Sequence, residues 1–131
     1  MAEGVFRHQV ERAGLSAKFE IDSAGTAAYH VGDGADPRTR DLLASYGIRC
    51  DSISRQVNSD DYERFDHILA MDRSNLRDME RRCPAVHRHK LSLVLTDRDV
   101  PDPYYGGPDG FDLNYRQLDE ALGAWLERWR A

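Results

Sequence analysis

The stretch His67-Ile68-Leu69-Ala70-Met71-Asp72 decides the fold class of this chain. Its apolar run has the length of a buried strand, and Asp72 or Ser74 then starts a predicted helix that stops before Pro84. A second apolar run, Leu91-Ser92-Leu93-Val94-Leu95, predicts the next strand. A strand, a helix and a strand in this order form a βαβ unit, which predicts a parallel sheet.

Three further elements are predicted on the N-terminal side of this unit. Residues 1–13 have the pattern of an amphipathic helix, which ends at Gly14. Phe19 and Ile21 alternate with polar neighbours, which predicts a short strand ending at Asp22-Ser23-Ala24-Gly25. Asp36 then caps a helix that has Pro37 at its first position and ends at Gly47.

Two more helices complete the predicted order of elements. Ser59 is predicted to cap a short helix that runs through Phe65. A long amphipathic C-terminal helix is indicated by apolar residues that recur at intervals of three and four: Phe111, Tyr115, Leu118, Leu122, Trp125, Leu126 and Trp129. These elements predict a single α/β domain over residues 1–131, with three αβα layers around a small parallel sheet. Because the chain opens on a helix, we expect the first strand of the sheet to be absent from it.

Composition excludes several classes of protein. The length of 131 residues suits one domain, and the net charge of −5 opposes nucleic-acid binding, since basic residues are scattered among acids. No apolar run has the length of a membrane span, and the first residues show no signal-peptide pattern, so we expect a cytoplasmic protein. Cys50 and Cys83 form neither a disulfide framework nor a metal-binding spacing.

The stretch Val100-Pro101-Asp102-Pro103-Tyr104-Tyr105-Gly106-Gly107 carries the strongest indication of chemistry. Pro103 restricts Asp102 to an extended conformation, while Tyr104 and Tyr105 provide flat walls beside its carboxyl group. Such an acid suits protonation of an aromatic leaving group, because phenols have a pKa of about 10 and their anions leave poorly. The alternative is a turn in which the tyrosines pack onto the last helix.

Two weaker candidates lie near the end of the predicted first strand. Asp22-Ser23-Ala24-Gly25-Thr26 would lie at the ligand-bearing edge of a parallel sheet, or it forms an ordinary turn stabilised by Asp or Ser. Tyr29 follows in the next loop and could line a pocket or cover the edge of the sheet.

Taken together, these segments resemble the low-molecular-weight protein tyrosine phosphatases along essentially the whole chain. Several motifs carry the resemblance in the right order: Met1-Ala2-Glu3-Gly4-Val5-Phe6-Arg7, Asp22-Ser23-Ala24-Gly25-Thr26, Val31-Gly32 through Asp36-Pro37-Arg38, Ser54-Arg55-Gln56-Val57, Phe65 through Asp72, Ser74-Asn75-Leu76 and Asp102-Pro103-Tyr104-Tyr105-Gly106.

The resemblance implies a four-stranded parallel sheet and hydrolysis of phosphotyrosine through a cysteinyl-phosphate intermediate, without metal or other cofactor. Asp102 would be the general acid and then the base that activates water. Tyr104 and Tyr105 would wall the pocket, with Tyr29 on its other side, and Ser23 would help to hold the nucleophile loop. The implied substrates are phosphorylated proteins or small aryl phosphates, with no nucleic-acid or membrane partner.

One part of the family pattern is missing from these residues. The family's nucleophile lies in a C-x5-R-S loop just before its Met-Ala-Glu helix, and this chain starts at that Met. The positions six residues after Cys50 and Cys83 hold Gln56 and His89 instead of arginine. We therefore expect the first strand and the nucleophile loop to be absent, the chain to be inactive alone, and the natural protein to be longer.

Three alternatives remain open from the sequence. The chain could be a non-catalytic phosphate- or protein-binding module of the same fold. An arsenate reductase would need several redox-placed cysteines, and the two cysteines do not stand in that context. Phosphoarginine could replace phosphotyrosine as the substrate, because Tyr29 indicates an aromatic wall without fixing what binds against it.

Overall fold

The computed structural model describes residues 1–25, 34, 36–50, 53, 55–101 and 110–130. Two strands, β1 (Ile68–Ala70) and β2 (Leu91–Leu93), pair in parallel, with Ile68 opposite Leu91. The helices are α1 (Ala2–Arg12), α2 (Pro37–Ser45), α3 (Ser59–Arg64), α4 (Arg73–Arg82) and α5 (Gly110–Arg130), and short 3₁₀ helices span Ser16–Lys18 and Ala85–Lys90. The predicted βαβ unit is therefore confirmed.

The two faces of the β1–β2 pair are buried against different helices. Successive side chains of a strand point to opposite faces, so Leu69 packs into one hydrophobic cluster and Ala70 into another. The larger cluster consists of Val5, Phe6, Val10, Leu43, Ile48, Val94, Leu95, Leu118, Leu122, Trp125 and Leu126. The smaller cluster consists of Tyr62, Ala70, Met79, Cys83 and Leu93. Helices thus cover both faces, which confirms the predicted three-layer αβα arrangement.

Helices α1 and α5 pack against each other and supply most of the larger cluster. Phe6 meets Phe19 and Trp129 edge-on, with ring centroids 5.8 and 5.7 Å away. The indole N–H of Trp125 donates a hydrogen bond to the carbonyl of Val94 at 2.9 Å. Because Val94 directly follows β2, this bond fixes α5 to the end of the sheet.

Two glycines end helices where the sequence predicts. Gly14 and Gly47 have φ angles of +71° and +76°, which side chains other than glycine rarely adopt. Beyond them, the N–H of Leu15 donates to the carbonyl of Val10 at 3.0 Å, and the N–H of Ile48 donates to that of Leu43 at 2.9 Å. These bonds satisfy carbonyls that would otherwise be left without partners at the helix ends.

The starts of the helices follow the predicted capping residues except in α3. Asp36 accepts from the N–H of Arg38 at 2.8 Å, and Asp72 accepts from the N–H of Asn75 at 2.7 Å. The prediction that Ser59 caps α3 is wrong, because the cap is Asn58. Asn58 stands three residues before Asp61, and together they form a reciprocal capping box.

The predicted strand at Phe19 and Ile21 is wrong as a regular strand. Phe19 does have an extended backbone, and both side chains pack against the larger cluster. However, the pairing of this segment among the described residues is a single parallel bridge, at Gly25 with Gln56. An alternating pattern predicts an extended backbone, whereas a regular strand also needs a neighbour with which to form a ladder of hydrogen bonds.

The basic residues are predicted to be scattered among acids, and α4 differs from that prediction. Arg73, Arg77 and Arg81 follow one another at intervals of four along α4, so they share one face of that helix. The expectation of scattered basic residues is therefore wrong for α4. None of the described helices is long and apolar enough to cross a bilayer, and the cytoplasmic location stays a prediction.

Candidate active site

The approach to the predicted acid loop is held at the carboxyl end of β1. The N–H of Val100 donates to the carbonyl of Met71, the residue after β1, at 2.8 Å. The side-chain amide of Asn114, which is 6% exposed, donates to the carbonyl of Pro101 at 2.7 Å. Val100 is thereby fixed beside the end of β1, and Pro101, the residue immediately before Asp102, is fixed to α5.

The same approach is also joined to the start of α4. Asp99 accepts a hydrogen bond from the N–H of Arg73 at 2.9 Å, and the guanidinium of Arg73 donates to the carbonyl of Asp97 at 3.0 Å. The first N–H groups of a helix lack partners within it and favour acidic groups. Asp99 and the capping residue Asp72 meet that need, so the loop before Pro101 has fixed contacts with α4.

Four predicted site residues lie outside the described residues. They are Tyr29, Asp102, Tyr104 and Tyr105. Their roles stay predictions, and only Ser23 of the predicted set is placed by the structure.

Ser23 binds a carboxylate in the first turn of α1. Its hydroxyl donates to Glu3 at 2.6 Å, and the other oxygen of Glu3 accepts from Arg7 at 3.1 Å. The Glu3 side chain is only 10% exposed, so these contacts matter more than those of a fully solvated ion pair. Arg7 also donates to the carbonyl of Ile21. The segment ending at Gly25 is thus bound to α1, while the support of a nucleophile loop by Ser23 stays a prediction.

A second network lies beside Ser23 and centres on Arg55. Its guanidinium binds Asp22 at 3.0 Å and forms a two-pronged ion pair with Asp61 at 2.9 and 3.0 Å. Asp61 also accepts from the N–H of Asn58 at 2.9 Å. A forked guanidinium matches a carboxylate well, which adds direction to the attraction between opposite charges. Arg55 therefore holds the segment around Asp22 against the start of α3.

The ionisation of this network follows from its contacts. Burial acts to raise the pKa of Asp61, but hydrogen bonds from Arg55 and from the N–H of Asn58 outweigh it, so the pKa lies below its usual range. The hydrogen bond to Asp61 raises the pKa of Arg55. Both groups are therefore charged at neutral pH.

The backbone joins the same two segments. The N–H of Gly25 donates to the carbonyl of Arg55 at 2.8 Å, and the N–H of Val57 donates to the carbonyl of Gly25 at 2.9 Å. Together with the Arg55 side chain, these bonds align the end of one segment with the next. Carboxyl ends of parallel strands are where ligands bind in open α/β sheets.

The cysteines have surroundings unlike those of a reactive nucleophile. Cys83 is 3% exposed, and burial raises the pKa of its thiol. Cys50 is half-buried beside the larger cluster. A nucleophile for phosphate-ester chemistry needs a lowered pKa and access to substrate, and Cys83 has neither.

Several residues that build this region carry no motif that marks them as site residues in the sequence. Glu3, Asp61 and Asn114 make the contacts, but each belongs to a helix and was not a site candidate. Two signals could have found them. Asp61 stands three residues after Asn58, which is the spacing of a capping box, and Asn114 is a polar residue on the apolar face of α5.

Comparison with known proteins identifies the family. The sequence profile of the low molecular weight phosphotyrosine protein phosphatases matches residues 1–131. The low molecular weight phosphotyrosine protein phosphatase of Schizosaccharomyces pombe is 47% identical over 125 residues, which cover 90% of this chain and 80% of that protein.

Solved structures agree with that match. A protein tyrosine phosphatase from Entamoeba histolytica superposes with a TM-score of 0.93 at 37% identity, covering 98% of this chain and 86% of that one. A Drosophila arginine phosphatase superposes with a TM-score of 0.90 at 28% identity, covering 99% and 88%. The chain therefore belongs to the low molecular weight phosphotyrosine protein phosphatase family.

Proposed function

We propose that this chain forms part of a phosphotyrosine phosphatase that works through a cysteinyl-phosphate intermediate. The observation that carries the proposal is the pair of hydrogen bonds from Val100 to Met71 and from Asn114 to Pro101. They fix the two residues before Asp102, one of them at the carboxyl end of β1, which is the edge of a parallel sheet that holds ligands. Family membership supports the same reaction.

In the proposed mechanism Asp102 acts twice. It first protonates the phenolic oxygen of the substrate as the bond from phosphorus to that oxygen breaks and the bond from the cysteine sulfur forms. The resulting carboxylate then takes a proton from the water that attacks the phosphocysteine, which releases phosphate and restores the thiolate. Tyr29, Tyr104 and Tyr105 hold the aromatic ring, and Ser23 supports the nucleophile loop. The proposed substrates are phosphorylated proteins or small aryl phosphates.

We further propose that the nucleophile loop is supplied by residues outside these 131. Neither cysteine is followed by arginine six residues later, and Cys83 is buried with a raised pKa. A thiolate and a phosphate-binding arginine are both needed for the reaction. We therefore expect no detectable turnover from the 131-residue chain alone.

The test compares the chain alone with a form in which a strand and a C-x5-R-S-P segment precede Met1. Turnover of an aryl phosphate is expected only in the extended form, and replacing the added cysteine by serine should abolish it. Turnover by the chain alone that survives Asp102→Asn would overturn the mechanism. A folded extended form that binds phosphate without turnover would favour the non-catalytic binding module instead.

A second substrate class, phosphoarginine, is favoured by the likeness to the Drosophila arginine phosphatase. The two classes are separated by kcat/KM of the extended form toward a phosphotyrosine peptide and a phosphoarginine peptide of the same sequence. A higher value for phosphotyrosine supports the main proposal, and the reverse order replaces it with an arginine phosphatase.

A further inference from the structure

The exposed face of α4 gathers arginines beside a surface cleft. Arg73, Arg77 and Arg81 recur every four residues and so form one stripe along the helix. Arg88, from the 3₁₀ helix that follows α4, joins Arg77 and Arg81 in lining a cleft of about 490 Å³, whose wall also includes Ser74 and Glu80. We refer to Arg73, Arg77, Arg81 and Arg88 as the arginine stripe.

Part of this stripe has no ion-pair partner among the residues that the structure describes. Arg73 lies 4.0 Å from Asp99, and Arg81 shares Asp78 with Arg82, at 3.2 and 3.6 Å. Arg77 and Arg88 pair with no acid in that set. Residues 73–90 contain six basic side chains (Arg73, Arg77, Arg81, Arg82, Arg88 and Lys90) against two acidic ones (Asp78 and Glu80). This local excess of positive charge stands out in a chain of net charge −5.

We propose that the arginine stripe docks an acidic segment of the phosphoprotein substrate, an inference that rests on the proposed function. Side chains four residues apart on a helix are separated by a rise of about 6 Å. Alternate side chains of an extended peptide lie about 6.6 Å apart, since each residue adds about 3.3 Å. Acidic residues at every second position therefore face successive arginines of the stripe.

The position of the stripe suits a segment that is continuous with the phosphorylated residue. It begins at Arg73, whose N–H binds Asp99 directly before Val100 and Pro101. A peptide lying along α4 therefore has one end near the carboxyl end of β1. Charges along α4 lie away from the reacting bond, so they act on the binding of substrate rather than on bond breaking.

The chemistry of the cleft favours an acidic peptide over a nucleic acid. Glu80 lies in the wall of the cleft, and the chain has a net charge of −5. Both repel the phosphate backbone of a long nucleic acid. The lining contains no aromatic side chain on which bases could stack. A short segment with spaced carboxylates meets the arginines without extending over the acidic remainder of the surface.

The test measures fluorescence anisotropy of a labelled, unphosphorylated peptide with glutamates at alternate positions, added to the full 131-residue chain. Saturable binding that weakens with salt is expected. The double variant Arg77→Glu/Arg88→Glu should weaken it at least about tenfold, because attraction becomes repulsion. A matched double variant, Arg12→Glu/Arg130→Glu, makes the same change of charge at exposed positions on α1 and α5, and should alter affinity less than about twofold.

A second pair of measurements keeps the result clear if the charge reversal unfolds the chain. The neutral variant Arg77→Gln/Arg88→Gln should bind the alternating peptide several-fold more weakly than the original chain. An isomeric peptide with contiguous glutamates should also bind the original chain more weakly than the alternating one.

Three results would overturn the inference. These are an absence of binding, equal losses in both charge-reversal variants, and tighter binding of a single-stranded oligonucleotide of the same charge. Binding does not require turnover, so this test and the turnover test fail separately. If the extended form shows no turnover while the peptide still binds, the proposed function is removed. If the extended form turns over substrate but the peptide does not bind, only the docking role is removed.

Discussion

The network around Arg55 and the arginine stripe on α4 use the same side chain in opposite ways. The guanidinium of Arg55 is held by Asp22 and Asp61, and its side chain is 30% exposed. The guanidinium of Arg77 in the stripe is exposed and has no ion pair among the described residues. One arginine joins parts of the fold, and the other is available to a partner.

This difference shows what decides the role of a charged residue. Arg55 lies in the segment whose backbone pairs with Gly25, so carboxylates from two parts of the chain, Asp22 and Asp61, surround its guanidinium. Three of the four arginines of the stripe lie four residues apart on α4, where like charges repel one another and acids are few. A paired, partly buried arginine should govern stability, whereas an unpaired, exposed one should govern binding. Four measurements can break or sharpen this contrast.

The largest effect on stability is expected from Arg55→Leu. The change leaves Asp61, whose side chain is 12% exposed, without its main partner. Removing one member of a buried ion pair costs several kcal/mol, so a loss of about 2 kcal/mol in the free energy of unfolding is expected for this partly exposed pair. Urea unfolding measures it, with Arg77→Leu as the matched control. Equal losses in the two variants would contradict the contrast.

A smaller effect is expected from Ser23→Ala. The variant loses the hydrogen bond from Ser23 to Glu3, but Glu3 keeps its contact with Arg7. A loss of about 1 kcal/mol in the free energy of unfolding is therefore expected. Ser59→Ala is the control, because Ser59 is exposed and Asn58 is the cap of α3. If Ser59→Ala lowers the free energy of unfolding as much as Ser23→Ala does, the hydrogen bond from Ser23 to Glu3 does not account for the loss.

A third effect, expected to be below about 1 kcal/mol, concerns acid pH. The folded-state pKa of Asp61 lies below its unfolded value. The stability that Asp61 contributes is therefore present above the unfolded pKa, about 3.9, and is lost as pH falls through the folded value. Urea unfolding from pH 6 down to about pH 3 should show a shallower decline in Asp61→Asn than in the original chain. If the free energy of unfolding declines identically with falling pH in the two proteins, the pKa of Asp61 is the same in the folded and unfolded states.

The smallest effect on stability is expected at Arg77 and Arg88, the positions where substitution should weaken peptide binding. Arg77→Gln/Arg88→Gln should change the free energy of unfolding by less than about 0.5 kcal/mol, because both arginines are exposed. Thermal unfolding measures this, beside the peptide-binding assay. A stability loss close to that of Arg55→Leu would show that the stripe supports the fold.

Local signals account for most of the fold that the sequence predicts correctly. Apolar runs, capping aspartates and terminal glycines act within a few residues, so the positions of α1, α2, α4, α5, β1 and β2 follow from them. The strand at Phe19 fails because a ladder depends on a neighbour that no local pattern specifies. Ser59 and Asn58 are adjacent residues of capping type, and the reciprocal bond with Asp61, three residues after Asn58, makes Asn58 the cap.

The site was predictable to a different degree. Asp102 and its tyrosines stand out through composition and family resemblance, whereas the residues that hold their surroundings do not. Asn114 and Glu3 act through contacts with residues 13 and 20 positions away in the chain. Such contacts arise only when helices and strands pack together. The arginine stripe is hidden for another reason, because the net charge of a chain does not reveal three arginines at intervals of four along α4.

The central claim, that Asp102 protonates the leaving group, is tested most directly by varying that group. In the extended form carrying the nucleophile loop, kcat/KM reports formation of the phosphocysteine and not its hydrolysis. Asp102→Asn should lower kcat/KM by roughly 10²–10⁴-fold for unsubstituted phenyl phosphate, whose leaving group has a pKa of about 10. The loss should be far smaller for an aryl phosphate with an electron-withdrawing ring, because that leaving group departs without a proton. Equal losses for the two substrates would contradict the account.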